Sequence, residues 1–288
     1  MAPRRERPRF SASSVTRLGP PRGAPKSQLH GEGWEPLEGV VAASDGAAGE
    51  WLLDALDHSW AGSPGSFATV GALLPTRFEA YLRILHPAPL PLPAPAGGGP
   101  AMALGPRAMR WAEVAARSGR TLHGGAQFHR VVAPVLGREL GALEVGAPPA
   151  ETPHSVLAEL VSRLGPLTAT PTRCWFGLWD GYGDLRAMAD GRTPPVALRL
   201  PARTYRLYVG PVAGAVRFAT ARSPHAPTLW WPEDQAWFVG SDPDLDSTYV
   251  GCGEAAAAAL LSAPELELFR THRGQSVAFD GDGRNRAE

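Results

Sequence analysis

After Gly165 the spacing of apolar residues changes from a period near 3.6 to a period of 2, and this change limits the fold more than any other feature of the chain. Before it, helices are expected. Trp51, Leu52, Leu53 and Leu56 predict a short one over 50–58. Pro75 opens a second, in which Phe78, Tyr81, Leu82 and Leu85 fall at i, i+3, i+4 and i+7 while Glu79 and Arg83 pair on another face. A third covers 109–118 and stops at Gly119. A fourth takes Thr152 as its N-cap and Pro153 as its first residue, and closes at Gly165. The stretch 67–73 reads as a strand.

Beyond Gly165, the apolar run 174–179, the alternation Tyr205/Leu207/Val209 and the pair Val216/Phe218 read as strands. The segments 229–231 and 236–240 flank Pro232-Glu233-Asp234-Gln235, a hairpin with proline at its first central turn position. A short strand at Tyr249 and Val250 leads into a helix over 254–261, and a helical turn is expected from Pro264 through Phe269. The fold class that follows is α+β, an antiparallel sheet of hairpins with several short helices packed on it.

Residues 1–48 lack periodicity and are rich in Pro, Arg, Gly and Ser, so they are expected to form a disordered tail. Residues 49–272 then form a single domain, with a Pro/Gly-rich surface loop at 87–106 and a flexible tail at 273–288. The 87–106 stretch holds seven Pro, four Gly and no charge. No apolar run approaches the ~18 residues of a membrane span, and no secretory signal is legible, so a cytoplasmic protein with no membrane partner is expected.

Charge excludes whole chemistries. Of 28 cationic residues only Lys26 is lysine, and it lies in the tail, so a Schiff-base lysine, a P-loop and a kinase-type clamp are not expected in the domain. Residues 1–27 sum to +6 and the rest of the chain to −6. The tail could touch nucleic acid weakly, but only Phe10 lies among its arginines to stack on a base. Cys174 and Cys252 belong to no ligand pattern and read as buried free thiols. No cofactor is expected.

Two local motifs invite chemistry. Gly251-Cys252-Gly253-Glu254-Ala255-Ala256 matches a nucleotide-loop spacing, but Glu254 repels phosphate and too little chain follows for a Rossmann body. Asp242, Asp244 and Asp246 alternate, and in an extended segment their carboxylates share one side, where a divalent cation could bind. That supports an alternative reading as a metal-dependent hydrolase. His123 and His129 have no ligand spacing.

The most informative segment lies between Arg222 and Arg270, which contains no cation and eight carboxylates. Trp230, Trp231 and Trp237 are interleaved with Glu233, Asp234, Asp242, Asp244 and Asp246, and rings beside carboxylates suit a basic partner. These eight residues are the candidate binding set.

The run Leu229-Trp230-Trp231-Pro232-Glu233-Asp234-Gln235-Ala236-Trp237-Phe238-Val239, followed by Asp246-Ser247-Thr248-Tyr249-Val250-Gly251, resembles a family of uncharacterised proteins from high-GC Gram-positive (actinobacterial) bacteria. Leu73-Leu74-Pro75 to Leu85-His86-Pro87 and Arg110-Trp111-Ala112-Glu113-Val114 are similar to its N-terminal half. The likeness covers most of 67–270 and brings no activity and no catalytic residue. Small immunity proteins of bacterial toxin systems are a looser likeness, through acidic, Trp-rich surfaces. The expected function is a non-enzymatic binding or regulatory protein, immunity-like, with a basic protein partner.

Overall fold

The computed structural model describes residues 39–59, 69–90, 108–133, 145–182, 197–218 and 225–286. All of them belong to one compact unit. Its strands are β1 (Val41–Ala42), β2 (Ala80–Leu85), β3 (Ala88–Pro89), β4 (Ala108–Met109), β5 (Cys174–Trp179) and β6 (Ala197–Arg199). There follow β7 (Thr204–Gly210), β8 (Leu229–Pro232), β9 (Trp237–Gly240), β10 (Ser247–Cys252) and β11 (Leu268–Thr271). The helices are α1 (Leu52–Ala55), α2 (Trp111–Ser118), α3 (Phe128–Val132), α4 (His154–Leu164), α5 (Ala215–Phe218) and α6 (Glu254–Leu261). The class is α+β.

One antiparallel sheet runs in the order β1-β7-β5-β8-β9-β10-β2-β11, with β6 also on β7, while β3 and β4 pair separately. The β8–β9 hairpin forms, but Pro232 is the last residue of β8 and its carbonyl accepts from the Gln235 N–H, so Glu233 and Asp234 are the central turn residues, and Gln235 takes the left-handed backbone with φ 53°. Trp230 and Trp231 therefore point to opposite faces. Trp231 joins Trp51, Trp175, Tyr205 and Phe238 in one core. Trp230 meets Phe176 and Trp237 on the other face, where the Trp237 indole donates to the Leu164 carbonyl at the end of α4. A second core is built by Leu85, Met109, Trp111, Val114, Phe128 and Val131, which sets α2 and α3 against the β2 end of the sheet.

Helix α2 follows its sequence signals, with Glu113 reaching back to the Arg110 N–H and Gly119 closing the helix at φ 68°. Other segments depart from expectation. The helix predicted from Pro75 is strand β2, paired with both β10 and β11. A strand covered on both faces reads as a continuous apolar run, and periodicity alone cannot tell such a run from a buried helix. The helical turn expected from Pro264 through Phe269 gives way at Leu268 to β11, and Val216/Phe218 lie in α5. Of the strand expected at 67–73, residues 67 and 68 lie outside the described residues, and Val70–Ala72 form a 3₁₀ turn. Thr152 does not cap α4, because its hydroxyl is turned inward to Thr248.

Both tail boundaries also move. Residues 1–38 lie outside the described residues, but Val40 is buried and β1 pairs with Tyr208 and Val209, so the chain enters the fold before 48. The C-terminal stretch is held by polar contacts that a composition argument does not register. Arg273 donates to the carbonyls of Ala55, Gly71 and Leu74, and Asp282 and Asn285 are buried. Of the expected 87–106 loop, 91–106 lies outside the described residues, while Ala88–Pro89 is strand β3 paired with Ala108–Met109.

Candidate functional site

The acidic segment does not form one face. Antiparallel connection sends the β8–β9 turn, with Glu233 and Asp234, to one end of the strands and the β9–β10 turn, with Asp242, Asp244 and Asp246, to the other. Trp230, Trp231 and Trp237 are at most 1% exposed, so none of the three offers a ring to a partner. That corrects the expected Trp-rich surface: residues alternating along paired inner strands bury both of their faces. Glu233 accepts from the Trp175 indole and pairs with Arg173. Asp234 is spent locally, accepting from the Thr168 hydroxyl and the Ala169 N–H.

At the other end, Asp242 builds the turn by accepting the Asp244 N–H at 2.9 Å. Arg203, entering from the start of β7, donates to both Asp242 oxygens at 3.1–3.2 Å and to Asp244 Oδ2 at 3.1 Å, with its guanidinium over the Trp179 ring. Burial pushes the Asp242 carboxyl up, and the Asp244 N–H and Arg203 pull it back. Asp246 turns elsewhere: its Oδ1 accepts from Arg83 at 3.3 Å and from the Ser247 hydroxyl at 3.1 Å. The segment is a turn rather than an extended strand, so the three carboxylates do not share one side. Arg203 and Arg83 occupy the carboxylates that a divalent cation would need, and among the described residues no group of three His, Cys, Asp or Glu side chains could hold a metal.

Arginines from outside the segment neutralise much of it. Arg83, Arg163, Arg173, Arg203 and Arg270 pair with Asp246, Glu265, Glu233, Asp242/Asp244 and Glu254. The sequence shows where cations are missing along the chain, not which ones the fold brings back.

Beside the 242–246 turn opens a cleft of about 280 Å³ between that turn, the start of α3 and the C-terminal segment. Asp244, Leu245 and Asp246 line one side; Phe128, His129, Val277 and Phe279 line others. Phe279 is 74% exposed, the most exposed large apolar side chain among the described residues, and stacks plane-parallel on His129 at 3.7 Å. Burial, followed by the neighbouring Arg130, lowers the His129 pKa. Phe279 is anchored from behind. Burial raises the Asp282 pKa, but hydrogen bonds from Asn285, the Gln127 N–H and His123 outweigh it and hold the carboxyl at about 2. None of Phe279, Asp282 or Asn285 was legible as a site, because their segment carries no periodicity.

A buried relay underlies the same turn. His86 Nδ1 lies 2.7 Å from the Pro149 carbonyl oxygen, which can only accept, so Nδ1 carries the proton. Nε2 therefore accepts from the Thr248 hydroxyl at 2.8 Å, and Thr248 accepts from the Thr152 hydroxyl at 2.8 Å. Burial holds the ring at about 4, well below its ordinary 6.5, so it is neutral. Both His86 and Thr248 are 0% exposed, which keeps this imidazole–hydroxyl pair from any substrate. A second cluster joins His225, which donates from Nδ1 to Glu151 at 3.0 Å, with the Tyr182 ring stacked on it at 3.6 Å. Cys174 and Cys252 are buried, and burial pushes the Cys252 thiol to about 12.

No family model, no curated protein and no solved structure matches this chain. Among the described residues no helix is long and apolar enough to cross a membrane.

Proposed function

We propose that the protein is a non-enzymatic, cytoplasmic binding or regulatory protein, immunity-like in kind, that holds a basic protein partner at the 242–246 end of its sheet. One observation carries the reading. Asp244, 60% exposed, and Asp246 border a cleft whose other walls, apart from Gln127, are aromatic and apolar and include the exposed Phe279. Anionic groups beside apolar area favour a cationic protein surface and speed its approach. The neighbouring groups are engaged by structure: Asp242 by Arg203, and His86 and Thr248 by each other.

Affinity purification from a native lysate tests the reading with two single variants. Asp244→Asn should lose a basic protein that wild type retains and salt releases, and the purified protein should rebind. Asp234→Asn, at the opposite end of the strands, should keep it. A partner retained equally by both variants, or no basic partner at all, refutes the reading.

A further inference from the structure

We infer that the cleft is a socket for an arginine side chain of the basic partner, the guanidinium lying on the Phe279 ring with its edge toward Asp244 and Asp246. The inference rests on the reading that the partner is a basic protein, and it names the anchor that partner presents.

Size comes first. About 280 Å³ falls just below the ~300–1,000 Å³ of small-molecule and cofactor sites, and it is ample for one side chain. Charge comes second. Asp244 and Asp246 line the cleft and no Lys or Arg does, so the lining's formal charge is negative, while Arg203 and Arg83 each pair with one of the two from outside it. His129 does not cancel it, since burial and Arg130 both disfavour its protonated form. Neither Asp244 Oδ1 nor Asp246 Oδ2 takes a hydrogen bond among the described residues; Arg203 holds Asp244 by Oδ2 and Arg83 holds Asp246 by Oδ1. Each carboxylate lining the cleft therefore keeps one oxygen for a guanidinium N–H.

Shape decides between the two basic side chains. Phe279 and His129 form a two-ring stack tilted by only 3°, and Phe279 remains exposed although Leu245 and Val277 lie nearby to cover it. A planar, weakly hydrated guanidinium stacks on such a ring, whereas an ammonium keeps its water. An aliphatic stem would lie along Leu245, Pro148 and Val277, as long cationic side chains do on apolar walls.

Nuclear magnetic resonance titration of the full chain with N-acetyl-arginine amide, its lysine counterpart and its uncharged citrulline counterpart tests the socket. Saturable shifts should appear at 127–129, 244–246 and 277–279, largest for arginine, smaller for lysine and absent for citrulline. Phe279→Ala should weaken arginine binding about two- to fivefold, as expected for an exposed cation–aromatic contact. Asp244→Asn should weaken it as well, and both positions are exposed enough for the variants to fold. Equal shifts with citrulline, no shifts at those residues, or unchanged binding in both variants overturn the socket. A basic protein whose capture ignores Phe279→Ala overturns the socket alone, and arginine binding with no basic protein captured overturns the partner reading alone.

Discussion

Lowering the pH from 7 to 5 should cost the fold about 2 kcal/mol through His86 alone. The folded ring titrates at about 4, against 6.5 for an unperturbed histidine. That gap corresponds to about 3 kcal/mol in total. The folded state disfavours the protonated ring, because both ring nitrogens are already committed and no water reaches them. The stabilisation is therefore complete above 6.5 and is lost as the pH falls towards 4. Most of the loss falls between those two values, since the unfolded chain takes up the proton first. The comparison is with His86→Gln, whose amide has an N–H donor and an oxygen acceptor but does not titrate. Urea unfolding of both proteins at pH 7, 6 and 5 gives the difference in stability at each pH, and the other groups cancel. The wild-type advantage should shrink by about 2 kcal/mol on acidification. A difference that stays constant from pH 7 to 5 would refute the buried, neutral assignment. So would an imidazole resonance of His86 that titrates near 6.5 in the folded protein.

Four further outcomes follow. Trp231→Ala should cost about 3–5 kcal/mol in urea unfolding, the loss expected of a core ring rather than of a binding ring. Asp246→Asn should cost about 3 kcal/mol, because it leaves the Arg83 guanidinium, 3% exposed, without its counter-charge. Asp282→Asn should cost about 2 kcal/mol near neutral pH. That cost should disappear as the pH falls from about 4 towards 2, since the folded carboxyl titrates at about 2, and acid-range melts of the two proteins would show them converging. Cys174 and Cys252 should resist a thiol reagent in the folded protein and react together on unfolding, which absorbance of the released chromophore reports.

Where local signals and tertiary surroundings agreed, the structure could be read from the sequence. The β8–β9 hairpin, strand β5 and helix α2 carry their own punctuation, in Pro232, in an uninterrupted run of apolar residues, and in Glu113 with Gly119. Strand β2 could not be read, because a strand covered on both faces has no polar side to show its period. The same burial separates residues that stand together in the sequence. Tryptophans next to carboxylates in sequence suggest a mixed surface, yet Trp230, Trp231 and Trp237 go inward while Glu233 and Asp234 occupy the turn. Asp244 and Asp246 stand out in the sequence, but the arginines that hold them, Arg203 and Arg83, lie some 40 and 160 positions away. Phe279 carries no signal at all, since its exposure follows from how Asp282 and Asn285 tie the end of the chain to Thr121, His123 and Gln127.

Arg83 makes the sheet and the α2–α3 layer open together. From β2 it donates to the Gly124 and Ala126 carbonyls, to the Ser247 hydroxyl and to Asp246, and its guanidinium lies over the Trp111 ring. Lifting the α2–α3 layer away would strip a buried cation of two acceptors and a ring at once, while unpairing the start of β10 would strip it of two others. Neither movement is independent of the other, so the amides of 124–131 and 247–250 should exchange their hydrogens as one cooperative unit. The cleft walls at 127–129 and 246 are then as rigid as the sheet itself, and the proposed partner would meet a surface already in its bound shape.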